Sequence, residues 1–307
     1  MLSNILDFLR VTEAAAIAAS QWIGTGDKAR ADEAATEAMR SKLNQIDFCG
    51  NIVIGEGMKD HSSGLFAGER VGKLRNQDDG VDYELAVDPI DGTRPTVASG
   101  PEALSVLAFA KANTMFTTEA YYMLKLAYGP DIASKIELNL SDPIERTIEL
   151  VSAITGKDAS KIVVCLLDRP RHEKIITTLR ELKVRIKLIQ DCDISGAIAT
   201  CLPDSGIDLL YGVGGAPEAV ITACAMKCLR GGFKAQIAND HGEPMANSKI
   251  YNIDDMVQGD CGFAATGITN GSLLKGVRFT NRGPVTHGVA MRSGSGTVRW
   301  VRTFHGN

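Results

Sequence analysis

The chain has 307 residues, 44% apolar and 23% charged, a profile of ordinary folded domains that excludes disordered and fibrous chains. The length argues for two domains, or for one large α/β unit with two sheets. Lys+Arg 33 against Asp+Glu 37 leaves a net charge of −4, and no basic block appears, so nucleic acid is excluded as a partner. The longest uncharged stretch, the 14 residues from Cys261 to Leu274, is broken by glycines and too short to span a bilayer, so no membrane segment is expected. Met1 to Arg10 carries Asp7 and Arg10 among its first apolar residues, which reads as the start of a helix and not a signal peptide; the expected location is the cytoplasm. Seven cysteines, an odd number with no C-x-x-C spacing, read as reduced core residues. Cys224 and Cys228 share a helix face, but no partner for a zinc site lies near them in sequence.

Helical spacing predicts a first helix over Asn4 to Ile23 and a second over Ala29 to Leu43, with Gly24-Thr25-Gly26 as the break. Strands are expected at Ile52 to Ile54, at Glu84 to Val87 and along the apolar run Leu104 to Ala110, which makes this half α+β. The break at Gly129-Pro130, before a helix opening at Ser141-Asp142-Pro143, sets the expected domain boundary, giving domains 1–135 and 136–307. From Ile162 the pattern alternates. Strands at Ile162 to Leu167, Val184 to Ile189 and Asp208 to Tyr211 are separated by helices at Arg171 to Leu182, Ile194 to Cys201 and Pro217 to Leu229, the signature of a parallel sheet. Two short strand-like runs, Val289 to Met291 and Thr297 to Val301, are expected to close a sheet edge.

The most informative segment is Glu84-Leu-Ala-Val-Asp88-Pro89-Ile90-Asp91-Gly92-Thr93, a buried strand running into two carboxylates and then a hydroxyl. Two anions at a strand end repel unless a cation neutralises them, and hard oxygen donors suit Mg²⁺ or Mn²⁺. Thr93 would open a helix whose free N–H groups suit a phosphate; the plainer alternative is that Asp91 only caps that helix. Asp32, Glu56 and Glu218 also sit at element edges beside glycine or lysine. Taken singly they read as a first-turn acid, a turn residue and a dipole-complementing helix start. Converging, they would make a phosphatase site in which metals activate water and neutralise the leaving oxygen.

Together, Gly26-Asp27-Lys28-x-x-x-Asp32, Val-Ile-Gly-Glu56-Gly, Val-Asp88-Pro-Ile-Asp91-Gly-Thr93-Arg94, Pro170-Arg171-His172 and Tyr-Gly-x-Gly-Gly-Ala-Pro-Glu218 resemble the class II fructose-1,6-bisphosphatases, within the lithium-sensitive sugar and inositol phosphatases. The motifs keep the family order from about Leu9 to Leu229 and resume at Ala264 to Thr269. The resemblance implies a layered α/β/α/β/α sandwich, with a metal- and phosphate-binding first domain and an α/β sugar-binding second domain that includes the C-terminal strands. It implies Mg²⁺- or Mn²⁺-dependent hydrolysis of the 1-phosphate of fructose 1,6-bisphosphate, in gluconeogenesis or Calvin-type carbon metabolism. It also implies a homo-oligomer, dimer or tetramer.

Residue by residue, the resemblance implies metal-site carboxylates at Asp32, Glu56, Asp88, Asp91 and Glu218, with Lys28 and Thr93 beside the scissile phosphate. Thr93 would orient the attacking water, with Asp32 or Asp60 as proton acceptor. Substrate contacts fall on Asp88, Gly92, Thr93, Arg94, Tyr122, Arg169, Arg171, Asp191, Asp193 and Glu218, the arginines forking onto the phosphate that is not cleaved and the carboxylates accepting sugar hydroxyls. Read without the family, Tyr122 is core or sheet edge, the Arg169–Arg171 pair is solvated, and Asp191 and Asp193 cap the next helix. His172 reads as a supporting or surface residue and not a ligand, because hard-metal carboxylate sites rarely recruit imidazole.

Four departures from the family stand out. Met58 replaces an acid, Asp91 is one methylene shorter than the Glu of many relatives, Cys192 replaces a glycine, and Phe233 to Asp255 is short. The alternatives are a sedoheptulose-1,7-bisphosphatase, an inositol phosphatase, or a degenerate paralogue without activity.

Overall fold

The computed structural model describes residues 5–56, 64–76, 80–239 and 241–306. Asp60 and Met58 lie outside them. The chain forms two compact units, one of residues 1–117 with 257–307 and the other of 118–256. This differs from the expected division at 135/136. The second unit is an insertion, and the C-terminal strands belong with the first unit.

The first unit opens with α1 (Ile5–Ser20) and α2 (Lys28–Leu43). Gly24 and Gly26 take left-handed φ of 76° and 75° in the turn between them, a conformation open to glycine at little cost. The side chain of Asp27 then caps α2 by accepting from Arg30 N at 3.2 Å. Strands β1 (Gly50–Ile54), β2 (Arg70–Val71) and β3 (Tyr83–Asp91) follow, then the short α3 (Thr93–Val97) and β4 (Leu104–Lys111).

The insertion consists of β5 (Tyr122–Tyr128), α4 (Pro130–Ala133), α5 (Ile144–Thr155), β6 (Val163–Leu167), α6 (Glu173–Glu181), β7 (Arg185–Ile189), α7 (Asp193–Ala199), β8 (Leu209–Gly215), α8 (Ala216–Leu229), β9 (Gly232–Ala238), β10 (Ile250–Asn252) and α9 (Ile253–Met256). The first unit then closes with β11 (Cys261–Gly267), β12 (Arg278–Thr280), β13 (Gly283–Arg292) and β14 (Thr297–Phe304).

In the first unit an 8-stranded sheet runs β12-β13-β11-β4-β3-β1-β2, with β14 pairing β13. Among the described residues of this sheet only β1 and β3 pair in parallel; the rest of the ladder is antiparallel. Helices α1 and α2 cover one face over Leu85, Val87, Leu107, Phe109, Ala264 and Ala290. The rings of Phe8 and Phe109 stack there at 4.2 Å between centroids. Two buried polar links fasten α1 to the sheet: Thr12 with Thr266 at 2.8 Å, and Thr286 Oγ1 donating to Glu13 Oε1 at 3.0 Å. Buried polar groups need such partners.

In the second unit a 6-stranded sheet runs β10-β9-β5-β8-β6-β7. The expected parallel character holds for β7, β6 and β8, whereas β5, β9 and β10 pair antiparallel, so the sheet is mixed. Helices α5 and α6 pack on the face of Leu124, Leu126, Val164, Leu166 and Leu209. Helices α7 and α8 cover the opposite face, where a Cβ on Gly196 of α7 would lie 2.8 Å from Leu210 and 3.1 Å from Cys165 Sγ. Cys224 and Cys228 are buried, as are Cys49, Cys165, Cys192 and Cys261; Cys201 is half-buried, and no disulfide forms among the described residues. No helix among the described residues is long and apolar enough to cross a membrane.

Candidate functional site

Strand β3 does not stop at Val87 but carries on through both aspartates. Its register against β4 shifts between Asp88 and Asp91, which face Val106 and Leu104. In a regular strand, residues three apart point to opposite faces. The extra residue of this bulge restores parity and brings Asp88 and Asp91 to one face. Pro89, with no N–H to donate, sits within the bulge, where its absence from the ladder costs least. Asp88 Oδ1 accepts from Ile90 N at 3.0 Å, while Asp91 is only 6% exposed.

Gly92 follows at φ 100°, ψ 51° and is the cap residue of α3, so Asp91 does not cap it. At the head of α3, Thr93 Oγ1 donates to Asp32 Oδ1 at 2.9 Å and lies 3.4 Å from Ile90 O. Asp32 is therefore more than a solvated first-turn acid, because it ties α2 to the β3–α3 turn. Lys28 and Arg94 are exposed, and Glu56 is half-buried just beyond β1. Asp60 lies outside the described residues. Among the described residues no three carboxylates, imidazoles or thiols gather as a ready-made metal cluster.

In the second unit the candidate residues collect at one end of the sheet, where β6, β7 and β8 end and β5 begins. Ligands bind beyond the carboxyl ends of parallel strands. Arg169, after β6, donates from Nη2 to Asp191 Oδ1, after β7, at 2.5 Å. Arg171 gives Nε and Nη2 to the Val213 carbonyl at 3.2 and 2.8 Å, and its guanidinium lies 5.0 Å from the ring centre of Tyr122 at the start of β5. The arginines are thus held in place and not loosely solvated, and Tyr122 serves as a stacking surface.

His172 is buried beneath them. Its Nδ1 lies 2.7 Å from Leu167 O, and its Nε2 accepts from Val213 N at 2.8 Å. These contacts fix the tautomer with the proton on Nδ1. Burial, above all, holds the imidazole pKa below its usual value, against the raising effect of the Leu167 carbonyl, and Arg171 and Arg169 lower it further. Its role is to brace β6 against β8, which agrees with its reading as a supporting residue.

Asp191 and Asp193 do not cap α7. The cap position belongs to Cys192, at φ 67° and ψ 53°. There a side chain stands in the left-handed region that a glycine would occupy without strain, at a cost of about 1 to 2 kcal/mol. The Asp193 carboxylate turns inward instead, to Lys125 Nζ at 2.7 Å. Lys125 lies mid-strand in β5 and has no place among the sequence motifs; a charged residue interrupting an apolar run was the only signal for it.

Glu218 stands in the first turn of α8 with its Oε2 buried and unpartnered among the described residues. Burial raises its pKa most, Lys125 lowers it and Asp193 raises it. A Cβ on Gly215 would lie 1.9 Å from that oxygen, so the glycine makes room for the carboxylate. A buried, unpaired carboxylate oxygen at a strand end is costly without a cation, and hard oxygen donors of this kind fit a hard divalent metal.

The model of the family described as bacterial fructose-1,6-bisphosphatase, glpX-encoded, matches residues 3–305. The chain is 38% identical over 322 aligned positions to fructose-1,6-bisphosphatase 1 class 2 of Escherichia coli, an alignment covering 98% of this chain and 94% of that protein. Identity and coverage are the same for the fructose-1,6-bisphosphatase class 2 of Shigella flexneri. Among solved structures, an extragenic suppressor from Pyrococcus furiosus aligns at 14% identity with a TM-score of 0.30, over 63% of this chain and 67% of that one.

Proposed function

Because this chain belongs to the bacterial, glpX-encoded fructose-1,6-bisphosphatase family, we propose that it hydrolyses the 1-phosphate of fructose 1,6-bisphosphate to fructose 6-phosphate and inorganic phosphate. The observation that carries the mechanism is the bond from Thr93 to Asp32 at the end of a strand bearing Asp88 and Asp91. With its own proton committed to Asp32, the Thr93 oxygen keeps its lone pairs for a water. It orients that water toward phosphorus and passes a proton on to Asp32 as the water attacks. The turn Gly92-Thr93-Arg94 receives the phosphate at the head of α3, and Lys28 offsets its charge.

The family is metal-dependent, and we assign the cation as Mg²⁺ or Mn²⁺, held in the first unit by Asp32, Glu56, Asp88 and Asp91; in the second unit Glu218 is a further candidate metal carboxylate. When bound it supplies charge neutralisation at the phosphoryl oxygens and acidifies water. The buried, unpartnered Glu218 Oε2 supports its own reading as a cation ligand. In the second unit, Arg171 and Arg169 suit the phosphate that is not cleaved, and Asp191 and Asp193 suit sugar hydroxyls. A cytoplasmic homo-oligomer, dimer or tetramer, belongs to the same proposal. It is supported by Trp300 and Phe304, 50% and 64% exposed on the edge strand β14, and sedimentation measures it.

The test is phosphate release from fructose 1,6-bisphosphate, sedoheptulose 1,7-bisphosphate and an inositol monophosphate, each with Mg²⁺ or Mn²⁺. The highest kcat/KM is expected for fructose 1,6-bisphosphate. Release from the inositol ester alone would move the chain to the inositol phosphatases, and no release from any would support a degenerate paralogue.

A further inference from the structure

Lys125 has a fully buried side chain, 0% exposed, on the face of β5 covered by α7 and α8. Taking an ammonium out of water is expensive, and stability alone does not call for it, since an apolar side chain of similar length fills such a space without the desolvation cost. Its Nζ donates to Asp193 Oδ2 at 2.7 Å. The end of β8 explains how closely the charges sit: a Cβ on Gly214 would lie 1.9 Å from Asp193 Oδ2 and 3.1 Å from Lys125 Nζ, and one on Gly215 would lie 1.9 Å from Glu218 Oε2. Two successive glycines leave space for two carboxylates and an ammonium at the sheet end that also holds Arg169, Arg171 and Tyr122.

We propose that Lys125 is a positioning residue for the sugar end of the site: it holds one oxygen of the inward-turned Asp193 carboxylate, so that the other is kept in place for the sugar, and it balances one of two crowded anions, leaving Glu218 free for its ligand. This rests on the reading of Asp193 and Glu218 as ligand-binding groups. Like charges brought together without a counter-ion drive each other to reorient or neutralise. The ammonium prevents that from inside the fold, where it touches neither substrate nor solvent. Asp193 acts on a sugar hydroxyl remote from the reacting phosphorus, so disturbing it removes binding that ground state and transition state share, which appears in KM more than in kcat.

The experiment compares wild type, Lys125→Met, Asp193→Asn, the double variant and Gly214→Ala with fructose 1,6-bisphosphate at saturating Mg²⁺. Thermal unfolding of each protein reports folding. Lys125→Met is expected to lower kcat/KM by about tenfold or more, with KM taking the larger share. Asp193→Asn should do likewise, and the double variant should be no worse than the poorer single one, because both changes break one interaction. Gly214→Ala keeps every charge but drives a methyl group into the Asp193 carboxylate, and it should show the same rise in KM. Lys125→Met within about twofold of wild type beside an impaired Asp193→Asn, or strictly additive losses, would overturn the proposal. An unimpaired Asp193→Asn would instead overturn the reading of the site beneath it. If Lys125→Met does not fold, Gly214→Ala decides, and an unchanged KM there sinks the inference.

Discussion

In the first unit the central reactive groups lie in one stretch of strand, turn and helix from Asp88 to Arg94, tied to α2 by the bond from Thr93 to Asp32; in the second, residues from Tyr122 to Glu218 are drawn together by the ends of β5, β6, β7 and β8. The first arrangement is local, and backbone geometry sets it: a one-residue bulge turns two acids three apart onto one face. The second is topological. It depends on strand order, and four of its charged groups are locked in two pairs, Arg169 with Asp191 and Lys125 with Asp193. A local acidic turn is suited to binding a cation and a phosphate, whereas a paired, rigid cluster is suited to recognising the shape of a sugar.

The sharpest break in this contrast is Asp88→Asn. Removing a carboxylate from the acidic turn weakens metal binding and charge neutralisation together, so turnover should fall by about 10² or more. Phosphate release during a Mg²⁺ titration measures the loss, and an unchanged thermal unfolding midpoint shows that the fold survives. Near-normal activity at limiting Mg²⁺ would remove Asp88 from the metal site.

Arg171→Ala tests the second arrangement and should have a smaller effect. A bidentate, charge-assisted contact to phosphate contributes about 1.5 to 3 kcal/mol, so kcat/KM for the bisphosphate should fall by about 10- to 150-fold. A sugar monophosphate substrate should lose much less. Equal losses on both would assign Arg171 to holding the Val213 carbonyl and Tyr122 in place.

The same contrast explains what the sequence made legible. Helices α1 and α2, the acidic turn and the alternation from β6 to α8 follow from spacing, capping and periodicity, which act over a few residues. Strand β11, Cys-Gly-Phe-Ala-Ala-Thr-Gly, lies in the middle of the larger sheet with every residue buried. Its small residues neither alternate nor favour strands, so it showed only as a family motif. Strand β5 was hidden by Lys125, a charge in what is in fact a buried run. The compact units divide at 117/118 and 256/257 and not at 135/136, because a local break at Gly129-Pro130 does not reveal that β11 to β14 return to the first sheet. The plainer alternative, that Asp91, Asp191 and Asp193 only cap helices, is decided by the tertiary fold, which puts Gly92 and Cys192 in the cap positions.

The smallest expected effect lies beneath the second arrangement, at His172. Its ring is held neutral by burial, between Leu167 O and Val213 N, and Gly212, at φ 133°, leaves it space, since a Cβ there would lie 3.0 Å from Nε2. In the unfolded chain the imidazole takes up a proton near its usual pKa of 6.5. In the folded protein it does so only at lower pH. The unfolded state therefore binds more protons in this window, and stability rises with pH across it. The contribution is complete above about pH 6.5 and is lost as pH falls toward the depressed folded value. His172→Gln removes the titrating group while leaving a polar side chain, so it should be less stable than wild type at pH 7.5, with the gap narrowing as pH falls to about 5. Denaturant midpoints of both proteins across that range measure this, and the other histidines, common to both, cancel in the difference. Parallel curves would mean that His172 carries the same proton in both states, and that β6 and β8 are braced by its shape and not by its neutrality.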